Sequence, residues 1–113
     1  MKTAVVILNW NTKEYLRKFL PGLLESVHGA DAGVIVADNG STDGSVKMLE
    51  EEFPSVRVIP FKENHGFTGG YNKAFDIVYE EFHPEYFLLL NSDIEVTPGW
   101  LAPMLEHMDS HPQ

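Results

Sequence analysis

An α/β domain, with a Rossmann-like parallel sheet and helices on both faces, is the fold this sequence predicts. Three observations carry that expectation. Four short apolar runs lie far apart in the chain: "AVVIL", "GVIVAD", "VRVIPF" and "YFLLLN". The segments between them repeat apolar residues at helical spacing. A polar cluster follows close behind every run. Strands alternating with helices give a parallel sheet, because a parallel pair needs a long crossover where an antiparallel pair can use a tight turn.

The elements follow in order. Residues 4–8 are continuously apolar and β-branched, the pattern of a strand buried on both faces. The next segment, "NWNTKEYLRKFLPGLLESV", puts Leu16, Phe19, Leu20, Leu23, Leu24 and Val27 on one helical face. Asn11, with Glu14 three residues later, is the expected cap. Pro21 inside the pattern predicts a kink or a split. Residues 33–38 form the second strand, and "NGSTDGS" is turn chemistry. Ser41 or Thr42 is expected to cap a helix that runs to about Phe53. Residues 56–61 are the third strand, and "KENHGFTGG" is a glycine-rich loop. The helix expected from about Thr68 carries Tyr71, Ala74, Phe75, Val78, Tyr79 and Phe82 on one side. Residues 86–91 make the fourth strand. "TPGWLAPMLEHM" begins a last helix, with Pro98 in its first turn.

Composition narrows the function. The chain has 113 residues, enough for one domain or part of one, and 43% of them are hydrophobic, enough for a core. A net charge of -9 argues against a general nucleic-acid binder, which needs clustered Lys and Arg. It leaves room for a small phosphorylated ligand held through a cation. There are no cysteines, which excludes disulfides and thiolate metal sites. No apolar stretch approaches the ~18 residues of a membrane span. The expected location is cytoplasmic, with peripheral contact at the inner face of the membrane left open.

In an open parallel sheet, ligands bind beyond the carboxyl ends of the strands. The clusters Asn9-Trp10-Asn11, Asp38-Asn39-Gly40, Asn64-His65-Gly66 and Asn91-Ser92-Asp93 all belong to those ends. Polar loops alone would explain the polarity but not the run of carboxylates and amides, so a binding site is expected there. Asp38 can accept the N3–H of uracil or thymine, where cytosine offers no donor. It can equally bond the backbone of "NGST" as a turn residue. Asp93 can hold a hard divalent cation that also grips a diphosphate, or cap the turn before "TPGW". Gly66, Gly69 and Gly70 allow close backbone approach to a ligand, or simply open the following helix. Their spacing is neither GxGxxG nor a Walker loop.

Two patterns are rejected. Asn39, Ser41, Asp43, Gly44 and Glu50 have EF-hand spacing, but a strand precedes them where that motif needs a helix. His107 and His111 are four apart, yet Met108 stands where HExxH needs Glu.

Taken together, "VVILNWNTKEYL", "VIVADNGSTDGS", "NHGFTGGYNKA" and "FLLLNSDIEV" resemble the family 2 glycosyltransferases of the GT-A fold, in the family's order and over nearly the whole chain. "ILNWN" and "LLLNSD" look most like the branch containing rhamnosyltransferases and related cell-surface polysaccharide enzymes. The resemblance implies an inverting transfer of sugar from a UDP- or dTDP-sugar to a hydroxyl on a saccharide or lipid-linked acceptor. It implies that Asp38 contacts the base, that Asn9 and Asn11 line the nucleoside pocket, and that Asn64, Gly66, Gly70 and Asn72 border nucleotide and sugar. Asn91-Ser92-Asp93 stands where the family has its DxD motif. Asp93 would therefore bind Mg²⁺ or Mn²⁺, with Asn91 replacing the first Asp and lowering the charge. Residues 1–113 are expected to be the nucleotide-sugar-binding half of a longer domain. The catalytic base is expected beyond Gln113, and self-association is expected of an uncovered sheet edge. The alternative is a non-catalytic α/β nucleotide-binding or interaction module.

Overall fold

The computed structural model describes residues 2–91. Ser92, Asp93 and the expected last helix lie outside the described residues. Four strands, β1 (Thr3–Asn9), β2 (Ala32–Asp38), β3 (Arg57–Pro60) and β4 (Tyr86–Asn91), alternate with α1 (Lys13–Val27), α2 (Ser45–Glu52) and α3 (Gly66–Phe82). The strands form one parallel sheet in the order β3-β2-β1-β4.

Side chains of a strand alternate between the two faces of its sheet, and β1 does so against two different partners. Val5 and Ile7 pack with Leu16, Leu20 and Leu23 of α1 and with Met48 and Leu49 of α2. Ala4 and Val6 pack instead with Tyr71, Ala74 and Val78 of α3. The sheet is thus covered by α1 and α2 on one face and by α3 on the other. That is why residues 4–8 are apolar without interruption. Each fully buried Leu, Ile or Val here contributes about 1.5–3 kcal/mol of transfer free energy. The shortest strand is β3, four residues long, ending at Pro60, a residue with no N–H to offer a ladder.

Four local expectations are corrected. Pro21 does not split its helix: α1 is one element of 15 residues. Pro21 is on the exposed face, where water can reach the carbonyl left without its helical donor, and the buried stripe of Leu16, Phe19, Leu20 and Leu23 holds both halves to the sheet. Asn11 does not cap α1. It sits at φ +52, and its side-chain oxygen accepts the Thr42 N–H at 2.8 Å. Neither Ser41 nor Thr42 caps α2, which starts at Ser45 after Gly44 in the left-handed region. α3 starts at Gly66, earlier than Thr68, because the Asn64 side-chain oxygen accepts the Gly66 N–H at 2.6 Å. Among the described residues no helix is long and apolar enough to cross a membrane.

Candidate functional site

The chain steps outward from β1 to β2 to β3, then returns to place β4 on the other side of β1. The reversal lies between β1 and β4, and such switch points open a crevice beyond the carboxyl ends of the strands. Register brings those ends level. Asn9 is opposite Asp38, and Leu8 is opposite Asn91. Tyr71, from α3, reinforces this edge by donating its hydroxyl to the Leu90 carbonyl at 2.6 Å. Burial pushes the Tyr71 phenol above its ordinary range, against a smaller opposing effect of the Leu8 backbone.

The β1 and β2 ends are tied by one polar network. Asn9 is fully buried, and Asp38 is 1% exposed. Asn9 Nδ2 donates to Asp38 Oδ1 at 2.8 Å and to Ser41 Oγ at 3.3 Å. Asp38 Oδ2 accepts the Ser41 N–H at 2.9 Å, which folds the loop after β2 back over its own strand. Thr12 Oγ1 donates to Asn9 Oδ1 at 2.6 Å, and the Asn11 N–H donates to Ser41 Oγ at 2.9 Å. Asp38 therefore fills the turn role, with one donor on each oxygen. Each oxygen keeps acceptor capacity, but a ligand reaches it only after the surrounding side chains give way.

A second network joins the β2 end to the glycine-rich loop. Asn39, 2% exposed, donates from Nδ2 to Asn64 Oδ1 at 3.0 Å and to the Gly66 carbonyl at 3.1 Å. Its Oδ1 accepts the His65 N–H at 2.8 Å. Gly40 is required between the two. Its φ is +78, and a Cβ there would lie 2.7 Å from the Glu63 carbonyl carbon. Gly70 is closely packed, since a Cβ would come within 2.8 Å of Leu8 Cδ1 and that side chain would have to shift. Gly66, at φ +75, has no neighbour within 4 Å of that position and leaves open space.

Asp43 binds the starts of two helices. Its Oδ2 accepts the Lys13 N–H of α1 at 3.0 Å, and its Oδ1 accepts the Ser45 N–H of α2 at 3.0 Å. The Ser45 hydroxyl donates to the same Oδ1. Burial acts to raise the Asp43 carboxyl, but hydrogen bonds from the Ser45 hydroxyl and from the Lys13 and Ser45 backbone outweigh it and hold it below the ordinary range.

The structure thus gathers Asn9, Asn11 and Asp38 in one network. It brings Asn64 and Gly66 to the same end through Asn39, and Gly70 lies beneath. Asn72 is exposed on the first part of α3. The backbone of Asn91 closes β4, and Asp93 lies outside the described residues. Among the described residues no group of three His, Asp or Glu could hold a metal ion. Sequence reasoning missed Thr12, Asn39, Ser41 and Asp43 as members of these networks. Their signal is only that small polar residues cluster after two adjacent strands.

Comparison with known proteins fits this geometry. The profile of Glycosyl transferase family 2 matches residues 4–113. An uncharacterized glycosyltransferase of Bacillus subtilis, YfnE, is 42% identical over 77 residues, 66% of this chain and 19% of that protein. The N-acetylglucosaminyl-diphospho-decaprenol L-rhamnosyltransferase of Mycobacterium tuberculosis is 25% identical over 116 residues, 96% of this chain and 38% of that protein. Among solved structures, S. aureus TarS 1-349 in complex with UDP-GlcNAc matches with a TM-score of 0.79 at 23% identity, covering 98% of this chain and 32% of TarS 1-349. The mannosyltransferase PcManGT from Pyrobaculum calidifontis, in complex with GDP-Man and Mn²⁺, matches with a TM-score of 0.77 at 21% identity, covering 95% and 32%. These likenesses give the fold, which is GT-A. The chain spans well under half the length of the relatives it matches. Matched by the family profile along nearly its whole length, it belongs to glycosyl transferase family 2, a family of enzymes.

Proposed function

We propose that these residues form the nucleotide-sugar-binding part of an inverting glycosyltransferase. The donor is a UDP- or dTDP-sugar. The acceptor is a hydroxyl on a saccharide or lipid-linked molecule, met on the cytoplasmic side during cell-surface polysaccharide synthesis. The observation that carries the reading is the Asn9–Asp38 pair, held level at the sheet's carboxyl end beside the β1/β4 switch point. The name of the rhamnosyltransferase relative and the UDP-GlcNAc bound to TarS support the donor and acceptor classes.

In this reading Asp38 accepts the pyrimidine N3–H, and Asn9 and Asn11 form the wall beside the nucleoside. Asn64, Gly66, Gly70 and Asn72 border the nucleotide and sugar. Asp93 holds Mg²⁺ or Mn²⁺. One carboxylate with the Asn91 amide suits a site that keeps waters and phosphate oxygens as its other ligands. When bound, such a cation supplies charge neutralisation at the diphosphate. No catalytic base is assigned within residues 1–113, so this chain by itself is expected to bind nucleotide and transfer no sugar.

The test is a thermal-shift scan with UDP, dTDP, CDP and GDP, each with and without Mn²⁺, beside a radiolabelled-donor assay. At about 100 times its dissociation constant, UDP or dTDP raises stability by about 2.7 kcal/mol. A folded chain indifferent to every nucleotide would instead be the non-catalytic module. Sugar transfer by the 113-residue chain would place the base within it.

A further inference from the structure

We infer that Thr12 is a positioning residue for this site: its hydroxyl fixes the Asn9 amide, and through that amide the Asp38 carboxylate that selects the base. The inference rests on the role proposed above for Asp38.

An asparagine amide has one end that donates and one that accepts. The Asn9 atom 2.8 Å from Asp38 Oδ1 must be the donating Nδ2, because an amide oxygen there would oppose a carboxylate oxygen. That assignment turns Asn9 Oδ1 the other way, toward Thr12. At 2.6 Å the Thr12 hydroxyl then has to be the donor. The order Thr12 to Asn9 to Asp38 follows without a free choice at any step. Asn9 is fully buried, so water does not readily replace the proton that Thr12 supplies.

Thr12 is also spared the task its position suggests. It precedes α1, where a threonine hydroxyl normally accepts a helix N–H. Here it makes no side-chain cap, although its carbonyl accepts the Leu16 N–H at 2.9 Å. Asp43 accepts the Lys13 N–H, a donor one residue ahead of those an N-cap side chain takes. The Thr12 hydroxyl is directed to Asn9.

Removing that hydroxyl leaves a buried amide oxygen unpaired. The amide relieves this by rotating, and Asp38 Oδ1 loses its fixed donor. A carboxylate held by the Ser41 N–H alone discriminates N3–H from a bare ring nitrogen less well. The consequence is a change in selectivity, which loss of packing alone would not produce.

The experiment is competitive titration of UDP and CDP into the wild-type chain, Thr12→Val and Thr12→Ser, with circular dichroism to confirm folding. Wild type and Thr12→Ser are expected to prefer UDP by about tenfold or more. In Thr12→Val the preference collapses toward parity, chiefly through weaker UDP binding. Should valine not be accommodated, Thr12→Ala is read the same way. A wild-type ratio in the Val or Ala protein overturns the inference, as does a Ser protein that loses the ratio as fully as Val. Parity already in the wild type would instead overturn the reading of Asp38 beneath it.

Discussion

Asp43→Ala should separate the two helix starts that frame the site. The substitution removes the acceptor of the Lys13 N–H, the Ser45 N–H and the Ser45 hydroxyl together. A single lost cap costs about 1 kcal/mol. Asp43 serves two helices but is exposed, and water replaces part of what is lost. The expected total is about 1–2 kcal/mol. For a domain of this size that lowers Tm by about 4–12 °C. Asp43→Asn offers one carbonyl oxygen where two oxygens now work, so it serves one helix and falls between. The effect has a pH signature. The folded-state carboxyl is held below its ordinary value of about 3.9. Its stabilisation is therefore present above that value and is lost as pH falls through the lower folded value. Thermal melts of the three proteins at pH 7 and along an acid series make the assay. An Asp43→Ala melt within a degree or two of wild type at pH 7 would refute the reasoning. So would a difference that persists unchanged once the carboxyl is protonated.

Two further predictions concern the loops around the site. Gly40→Ala combines a left-handed residue with a Cβ driven against the Glu63 backbone, and should destabilise the chain by about 2–4 kcal/mol; a denaturant midpoint equal to wild type would show that the loop pair yields freely. Asp93→Ala should abolish any gain in UDP affinity produced by Mn²⁺ or Mg²⁺ while changing stability by no more than about 0.5 kcal/mol. Calorimetry with and without metal checks it, and an undiminished metal effect would remove Asp93 from the site.

The strands were legible because each side of the sheet is covered. Val5 and Ile7 face α1 and α2, while Ala4 and Val6 face α3, so the run cannot alternate with polar residues. Sheet class and the level of the polar ends follow from that pattern and from the helical spacing between. The start of α1 was misread for one physical reason. Capping rules look three or four residues along the chain, whereas these caps come from elsewhere. Asp43 reaches across 30 residues to Lys13, and Asn11 is occupied by Thr42 across 31. The contacts of Asn39 were hidden likewise, because its partners Asn64, His65 and Gly66 lie on another loop. Asp38 was legible as a residue with two roles. The structure displays its turn role plainly, and the base contact rests on chemistry.

The most direct test of that contact is a comparison of UDP and CDP affinities in wild type and Asp38→Asn by calorimetric competition for one site. An aspartate accepts only, so wild type should favour UDP by about 1–3 kcal/mol over CDP, whose ring nitrogen would face the carboxylate unpaired. An asparagine can turn its NH₂ toward that nitrogen, so Asp38→Asn should bring the two nucleotides to parity or favour CDP. Equal affinities in wild type, or a preference for UDP untouched by Asp38→Asn, would contradict a nucleotide-sugar site built on Asp38.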